Sequence, residues 1–471
     1  MSRVALVVPD EYATVAPRVR FAAGIWALAH GHEIVAPTGA DHVLTYGSPL
    51  LPATPRWRPL AVPAPQPTMW DGLPLHHPQT AHGPDLLAEI FEWASSAHEA
   101  ATERGDDVGR VPSADTLAVR AALSPVVPWG SRLVDALQRQ LADALGIVSA
   151  PSTLGGGRRL IGASHDVDFL PTSRRDTARR LAVWAAAATT RFRAPGHAAR
   201  LLTAGAARAA SGRLDRGIER VARREHDRGI RATYTWLVRD EHPRDARYVA
   251  AGPAFTGRLN RIAAFGHEHA VHGSYTSLEA RGRLAEEYDR LRSTVPDLCG
   301  SRQHWLRYGS TTELIGALED AGARYDASAG FSDRIGFRTG IAHPHPLYDL
   351  DRDTVSPVIE IPTPIMDVAV ADRSTTCPAW REECEAVLDA VDEHGLGGVS
   401  VLWHDPVLQG FQLPRRFADL YWELHDPDRH DWVTLAEIET AVRGRLAACG
   451  LAADTERVTP PPTHPSPVAA G

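Results

Sequence analysis

The segment Arg159-Leu160-Ile161-Gly162-Ala163-Ser164-His165-Asp166-Val167-Asp168 indicates the fold class of this chain. Its apolar half predicts a buried strand, and the strand ends in two carboxylates. Because Asp166 and Asp168 are two positions apart, both side chains leave the same face of the strand. Two carboxylates that close repel each other unless a cation or a shared proton lies between them. Since active sites of β/α folds lie at the carboxyl ends of strands, this pair is a candidate site, and a turn or helix-capping role is the alternative.

Strand-like and helical segments alternate after this strand, which predicts a parallel sheet or barrel of the α/β class. The strand-like segments are 230–238, 267–272, 303–308, 358–362 and 398–404, and the helical ones lie near 278–293, 310–322, 380–393 and 434–447. We assign this domain to residues 156–456, with a helical insertion at 174–228. The insertion holds 14 Arg against five acidic residues, a local charge of +9. It has either solvated helix faces or a surface that attracts an anionic substrate, such as a phosphate-bearing glycan precursor.

The segment before Gly155-Gly156-Gly157 predicts a small α/β domain at residues 1–155, and the glycines are the candidate boundary. It opens with a β-α-β pattern, becomes rich in proline between residues 48 and 78, and then shows helical periodicity at 84–104 and 129–146. At the other end of the chain, residues 457–471 are rich in Pro and Ala and are predicted to be disordered.

The composition excludes several function classes. The 471 residues carry a formal charge of −8, so the chain has no global attraction for nucleic acid or anionic lipid. Every basic residue is Arg, which excludes Schiff-base lysine chemistry, P-loop lysines and the kinase strand lysine. The four cysteines form no C-x-x-C pair, and no segment reads as a secretory signal or a membrane span. We therefore expect a cytoplasmic protein with free thiols; its oligomeric state is not readable from the sequence.

Three further motifs hold residues suited to metal binding or proton transfer. Phe265 to Ser274 contains His267, His269 and His272, and neutral imidazole is a standard zinc ligand. Arg302 to Tyr308 places two Arg and His304 around an aromatic core, where Arg can hold a carboxylate in bidentate fashion or form a structural ion pair. Val399 to Pro406 is an apolar strand that ends in His404-Asp405, which places a His where it can transfer a proton.

The order of these motifs resembles the polysaccharide deacetylases with NodB homology (carbohydrate esterase family 4-like), over about residues 158–450. The shared order is Asp-x-Asp, Gly-His-Glu-x-x-x-His, an Arg-bearing strand and Leu-x-His-Asp. The chain is also similar to a bacterial subgroup with an extra N-terminal domain. That similarity rests on the segments Asp85–Glu103, Gly109–Pro112, Tyr325–Phe331, Ile335–Gly340, Pro344–Leu350, Glu360–Pro362 and Ile365–Asp367.

The resemblance implies an irregular β/α barrel and a set of site residues. In the family the first Asp of the first motif is the general base and the second binds a divalent metal, usually zinc; these would be Asp166 and Asp168. The metal-binding His would be His272. The Arg that steadies the base would be Arg302, with Arg307 as the rival, and the His that assists the leaving group would be His404.

One position departs from the family pattern. The second metal-binding His of the family lies four residues after the first, where this chain has Thr276. Catalytic zinc normally has three protein ligands and a water. The third ligand is therefore expected from His304 first, His269 second, and Thr276 or an extra water third.

The reaction that the resemblance implies is metal-assisted hydrolysis of an N-acyl amide, expected to be N-acetyl, on an amino sugar or glycan precursor. Asp166 would deprotonate the attacking water, the metal and a backbone N–H would stabilise the oxyanion, and His404 would protonate the departing amine. One alternative is an allantoinase-like amidase that acts on a small non-sugar C–N bond. The other, prompted by Thr276, is a metal-free, catalytically inactive glycan-binding or scaffolding protein.

Overall fold

The computed structural model describes most of the chain. The described residues are 1–54, 57, 62–103, 105–150, 153–170, 173–211, 217–239, 241–245, 248, 250–307, 311–373, 377–394 and 396–453. The tail predicted to be disordered, 457–471, lies outside them, as does Tyr308 at the end of a predicted strand.

The N-terminal segment folds around a small parallel sheet in the strand order β2-β1-β3 and a buried helix, α1. Eleven of the fifteen residues of α1 are buried, including all nine from Phe21 to Ala29, which is typical of a helix packed on most sides. The helix ends where Gly31 takes a left-handed φ of 68°. The elements of this segment are β1 (Arg3–Val7), α1 (Ala16–His30), β2 (Glu33–Ile34), β3 (His42–Thr45), β4 (Thr68–Trp70), β5 (Leu73–Leu75), α2 (Leu86–Ala94), α3 (Ala97–Ala100), α4 (Leu117–Arg120) and α5 (Trp129–Leu145).

The rest of the chain forms a curled ten-stranded sheet with helices outside it, so the protein is of the mixed α/β class. The strands are β6 (Arg159–Val167), β7 (Thr233–Trp236), β8 (Glu268–Gly273), β9 (Gly300–Gln303), β10 (Tyr325–Asp326), β11 (His345–Asp349), β12 (Thr354–Glu360), β13 (Ile365–Met366), β14 (Val399–Leu402) and β15 (His430–Val433). The helices are α6 (Arg174–Thr190), α7 (Pro195–Ser211), α8 (Gly217–His226), α9 (Gly252–Ala263), α10 (Arg283–Arg292), α11 (Thr311–Ala321), α12 (Asp367–Arg373), α13 (Cys377–His394), α14 (Asp405–Leu408), α15 (Arg415–Leu424) and α16 (Leu435–Leu446).

The sheet order is β11-β12-β10-β9-β8-β7-β6-β14-β13, with β15 paired to the first half of β6. All pairs are parallel except β11 with β12. Within the described residues the two ends of this path do not pair, so the sheet is a half-barrel rather than a closed cylinder. In β6 every residue after Arg159 is buried, as expected for a parallel strand covered on both faces.

The predicted strand at 303–308 is wrong in position. The strand β9 ends at Gln303, and His304–Leu306 forms a short 3₁₀ turn instead. Trp305 and Leu306 have φ values of 64° and 52°, and a left-handed backbone cannot continue an extended strand. The apolar residues that favoured a strand at 303–308 lie in the turn that follows β9.

The N-terminal segment and the half-barrel share one hydrophobic cluster, which contains both Trp26 and Ile359. Phe21 packs against Tyr348 with ring centroids 4.8 Å apart, and Arg338 forms a buried ion pair with Glu99 at 2.7 Å. The boundary expected near residue 155 stays a prediction. Among the described residues, no helix has both the length and the hydrophobicity needed to cross a bilayer.

Candidate active site

The carboxyl ends of four strands, β6, β8, β9 and β14, carry the residues singled out from the sequence. These strands lie close together in the sheet and run parallel, so their ends open at the same edge. The structure brings together at this edge Asp166, Asp168, His272, Arg302, His304 and His404.

Asp168, His272 and His304 form a cluster of possible metal ligands. One donor atom from each lies within 4.8 Å of the other two. Asp168 Oδ1 is 3.4 Å from His272 Nε2 and 3.7 Å from His304 Nε2. Two ligands held about 2.1 Å from one tetrahedral ion lie roughly 3.4 Å apart, so this spacing fits a shared zinc ion.

Two of these donor atoms have no hydrogen-bond partner among the described residues. They are Asp168 Oδ1 and His272 Nε2, and both are buried. His272 Nδ1 donates to the Arg302 carbonyl at 2.9 Å, so Nε2 is the ring nitrogen that faces the cluster. His304 Nδ1 is 3.1 Å from the carboxylate of Asp245. A carboxylate at this ring nitrogen commonly orients a zinc-binding imidazole. The residues present therefore fit a divalent cation.

The structure places the other two possible third ligands elsewhere. His269 is held in the core, where Trp236 Nε1 donates to its Nδ1 at 2.9 Å and its Nε2 donates to the Leu259 carbonyl at 3.0 Å. Burial, the main cause, lowers the pKa of His269 to about 4, so the ring is neutral and structural. Thr276 lies in the turn after β8 and does not line the cleft that Asp168, His272 and His304 line. His304, in the turn after β9, occupies the third position.

Asp166 is a buried carboxylate with one oxygen tied and the other facing the cluster. Its Oδ1 accepts from Arg302 at 2.9 Å and from the Thr235 hydroxyl at 2.8 Å, whereas Oδ2 lies 3.6 Å from His272 Nε2. Burial acts to raise the pKa of Asp166, but the positive charges of His272, Arg302 and His404 outweigh it and lower the pKa to about 2. The carboxylate is therefore ionised at neutral pH and can accept a proton through Oδ2.

Of the two arginines of the third motif, Arg302 contacts Asp166 and Arg307 does not. Arg302 is fully buried and also donates to the Ala327 carbonyl and to Ser400, both at 2.9 Å. Arg307 instead donates to the carbonyls of Val108 and Tyr275, at 3.0 and 2.7 Å. Arg302 fixes the base candidate, and Arg307 ties the N-terminal segment to the loop after β8.

His404 lies across the cluster from His304 and is oriented by a buried carboxylate. Asp367 accepts from the His404 backbone N–H at 2.7 Å and pairs with its Nδ1 at 2.8 Å, so that Nε2 faces Asp168 Oδ2 at 3.6 Å. Burial acts to lower the pKa of His404, but Asp367, supported by Asp168 and Asp166, raises it to about 10. The ring is thus a proton donor at neutral pH.

These side chains line a cleft of about 400 Å³. Its wall also includes Arg110 from the N-terminal segment and Arg191 from the helical insertion. Arg110 donates to the Trp305 carbonyl at 2.7 Å and is paired with Asp106 at 2.7 Å. Segments far apart in sequence therefore shape the mouth of the site.

Sequence reasoning gave no role to Asp245, Asp367 or Thr235. Asp245 contacts Nδ1 of His304, Asp367 contacts Nδ1 of His404, and Thr235 donates to Asp166. Thr235 offered a weak signal because it lies on the predicted strand next to that of Asp166. The two aspartates lie outside any periodic pattern, so only their positions in the fold reveal what they do.

The sequence matches no protein-family model and no curated protein. The fold resembles solved structures at low similarity. A candidate polysaccharide deacetylase from Mycobacterium smegmatis is 18% identical, with a TM-score of 0.40 over 63% of this chain and 94% of its own. Puue allantoinase is 11% identical, with a TM-score of 0.38 over 61% of this chain and 91% of its own. A candidate polysaccharide deacetylase from Pseudomonas aeruginosa PAO1 is 13% identical, with a TM-score of 0.38 over 61% of this chain and 92% of its own. The description of the site therefore rests on the side-chain geometry of this chain alone.

Proposed function

We propose that the protein is a metal-dependent hydrolase that removes an N-acyl group, N-acetyl in the first instance, from an amino sugar or glycan precursor. The observation that carries the proposal is the three-donor cluster of Asp168, His272 and His304, with the Asp166 carboxylate and the His404 imidazole beside it. Asp166 Oδ2 lies 3.6 Å from His272 Nε2, and His404 Nε2 lies 3.6 Å from Asp168 Oδ2. The preference for an N-acetylated sugar comes from the order of the sequence motifs.

The donor set favours zinc among divalent cations. Two neutral imidazoles and one carboxylate with an open fourth position are typical of catalytic zinc sites. A zinc ion bound there supplies a Lewis acid that polarises the amide carbonyl and acidifies a water. Asp245 orients the His304 ring, and the Arg302 carbonyl orients the His272 ring.

Asp166 acts as the general base in this proposal. Arg302 and Thr235 hold Oδ1, so the carboxylate cannot rotate freely and Oδ2 stays directed toward the metal ligands. The proton of the attacking water passes to Oδ2, and the new C–O bond forms at the carbonyl carbon.

His404 acts as the general acid. Its Nε2 lies 3.6 Å from Asp168 Oδ2, and the Asp367 carboxylate at Nδ1 raises the pKa of the ring to about 10, so the ring carries a proton at neutral pH. As the C–N bond breaks, this proton passes to the departing nitrogen, which gives the free amino sugar and acetate.

The test combines elemental analysis with a substrate screen. Protein loaded with zinc is expected to hold about one ion per chain, as a single three-ligand site requires, and to release acetate from N-acetylated sugar oligomers. Hydrolysis of ureides and cyclic imides in place of sugars would instead identify the allantoinase-like amidase. No bound metal after zinc loading and no turnover of either set would identify a metal-free binding protein, and the proposal would fail.

A matched pair of variants separates the base from the ligands. Asp166→Asn is expected to keep zinc and lose turnover, whereas Asp168→Ala is expected to lose zinc. An Asp166→Asn variant with full activity would refute the assignment of the base.

A further inference from the structure

A second recess of about 390 Å³ lies beside the catalytic cleft. Its lining consists of Arg179, Arg180, Val183, Pro243, Arg244, Asp245 and Trp305. Trp305 lines both cavities, and Asp245, in the wall of the recess, contacts the metal-ligand candidate His304. Because Trp305 lines both cavities, they adjoin each other, and consecutive parts of one ligand can occupy both.

The recess is strongly basic. It contains three guanidinium groups, from Arg179, Arg180 and Arg244, against the one carboxylate of Asp245. Among the described residues neither Arg179 nor Arg180 forms an ion pair, and the Asp107 partner of Arg244 lies 3.5 Å away with an 83% exposed side chain. Such an exposed pair contributes little. The Arg244 guanidinium also lies over the Tyr275 and Trp305 rings, 5.4 and 5.8 Å from their centroids, and its N–H groups can donate to a ligand from that position. Planar guanidinium groups suit carboxylate and phosphate oxygens.

Trp305 is built into the boundary between the cavities as a fixed aromatic surface. Its side chain is 45% exposed although its backbone is in the left-handed region at φ 64°, a conformation that costs a bulky residue free energy. Arg110 donates to its carbonyl, and its indole N–H donates to the Arg244 carbonyl at 3.4 Å. Arg244 lies over the Trp305 ring, and the exposed part of the indole beside the polar cleft offers an apolar surface to a sugar ring.

Asp245 adds an acceptor for a neutral group. Its Oδ1 accepts from the Tyr275 N–H at 2.7 Å and contacts His304, but Oδ2 is buried and has no hydrogen-bond partner among the described residues. A buried carboxylate oxygen without a donor is costly, and a sugar hydroxyl from a ligand in the recess can satisfy it.

We propose that this recess is a binding subsite for an anionic group, carboxylate or phosphate, on the part of the substrate next to the sugar whose amide is cleaved. The arginines of the insertion (Arg179 and Arg180) and Arg244 hold the anion, while Trp305 stacks on the connecting sugar ring. The positively charged insertion thus contributes Arg179 and Arg180 to the lining of the recess. This inference rests on the proposed function for the bond that is cleaved, but anion binding in the recess is measurable without turnover.

The test compares three saccharides on the Asp166→Asn protein, which binds without turnover. The neutral probe is tetra-N-acetylchitotetraose, the carboxylate probe is a hyaluronan tetrasaccharide, and the phosphate probe is UDP-N-acetylglucosamine. At least one anionic probe is expected to bind about tenfold more tightly than the neutral one by calorimetry, as one or two charge-assisted contacts give. That preference should shrink as salt is added. The probe that is preferred identifies the anion as carboxylate or phosphate.

Charge-neutral variants then locate the anion. Arg180→Gln with Arg244→Gln is expected to abolish the preference, and Arg175→Gln, on the exposed part of the same helix, is the matched control that should keep it. If both anionic probes bind no more tightly than the neutral one, or if the preference survives the double variant, the subsite is refuted. Deacetylation of the neutral oligomer by the wild-type protein in that case would leave the proposed function standing. A preference for the anionic probe that depends on these arginines, without any turnover by the wild-type protein, would refute the proposed function and support the subsite.

Discussion

The role of His304 as the third metal ligand can be tested through the carboxylate behind it. Asp245→Asn keeps an oxygen that can accept from His304 Nδ1, now 3.1 Å away, but removes the charge that orients the ring and raises its basicity. Loss of such a partner weakens metal binding by about 10- to 100-fold, or about 1.4–2.7 kcal/mol of binding free energy. His304→Ala removes the ligand itself and is expected to weaken binding further than Asp245→Asn does.

Zinc affinity would be measured near neutral pH by competition with a chromophoric chelator, with circular dichroism to show that each variant is folded. Thr276→Ala is the matched control, because the sequence resemblance would place a second His at this position but Thr276 does not line the cleft. It should bind zinc as the wild type does. Wild-type affinity in His304→Ala, or lost affinity in Thr276→Ala, would refute the ligand set.

Three further outcomes are expected. His404→Ala should retain zinc while acetate release falls by about 10²- to 10⁴-fold, the usual contribution of a general acid; an unchanged rate would exclude it as the proton donor. Arg302→Met should lower the free energy of unfolding in urea by about 3–5 kcal/mol, since it leaves the buried Asp166 carboxylate without its cation, and a change below about 1 kcal/mol would contradict that pairing. Burial raises the pKa of Glu89 from 4.5 to about 7 against the opposing charge of His77, so the folded state binds this proton more tightly than the unfolded chain does. The protonated Glu89 therefore contributes up to about 3 kcal/mol to the free energy of unfolding, a contribution that is full below about pH 4.5 and is lost as the pH rises through 7. Glu89→Gln should flatten the pH dependence of the free energy of unfolding. An unaltered slope would contradict the raised pKa.

Local sequence signals predicted the helices well and the strands less well. The helix expected near 434–447 is found as α16, Leu435–Leu446, where Thr434 and Glu437 form a capping box. The strand expected at 358–362 covers only the end of β12, because the first half of that strand alternates polar residues and contains Pro357. Strand β9 was placed too late, since its Gly-Ser-Arg-Gln sequence has no apolar pattern and is a strand through its neighbours in the sheet.

Much of the site was accessible from the sequence because it depends on strand ends. Asp166, Asp168 and His404 follow apolar runs, and strand ends of a parallel sheet meet at one edge. The choice of His304 over His269 was harder, since both are histidines near strands. What separates them is that the partners of His269 are core groups, whereas Asp245 turns His304 toward the cluster. Such relations come from tertiary packing and leave no periodic trace.

The shared packing of the two ends of the chain has a practical consequence for engineering. A cut at the glycines near residue 155 would not release an autonomous catalytic half. It would remove Phe21 from Tyr348 and Glu99 from Arg338, which exposes apolar surface and takes away the carboxylate that pairs with this buried guanidinium. The excised fragment would also lack Arg110, which donates a hydrogen bond to the Trp305 carbonyl. Attempts to crystallise the half-barrel should therefore keep the whole chain.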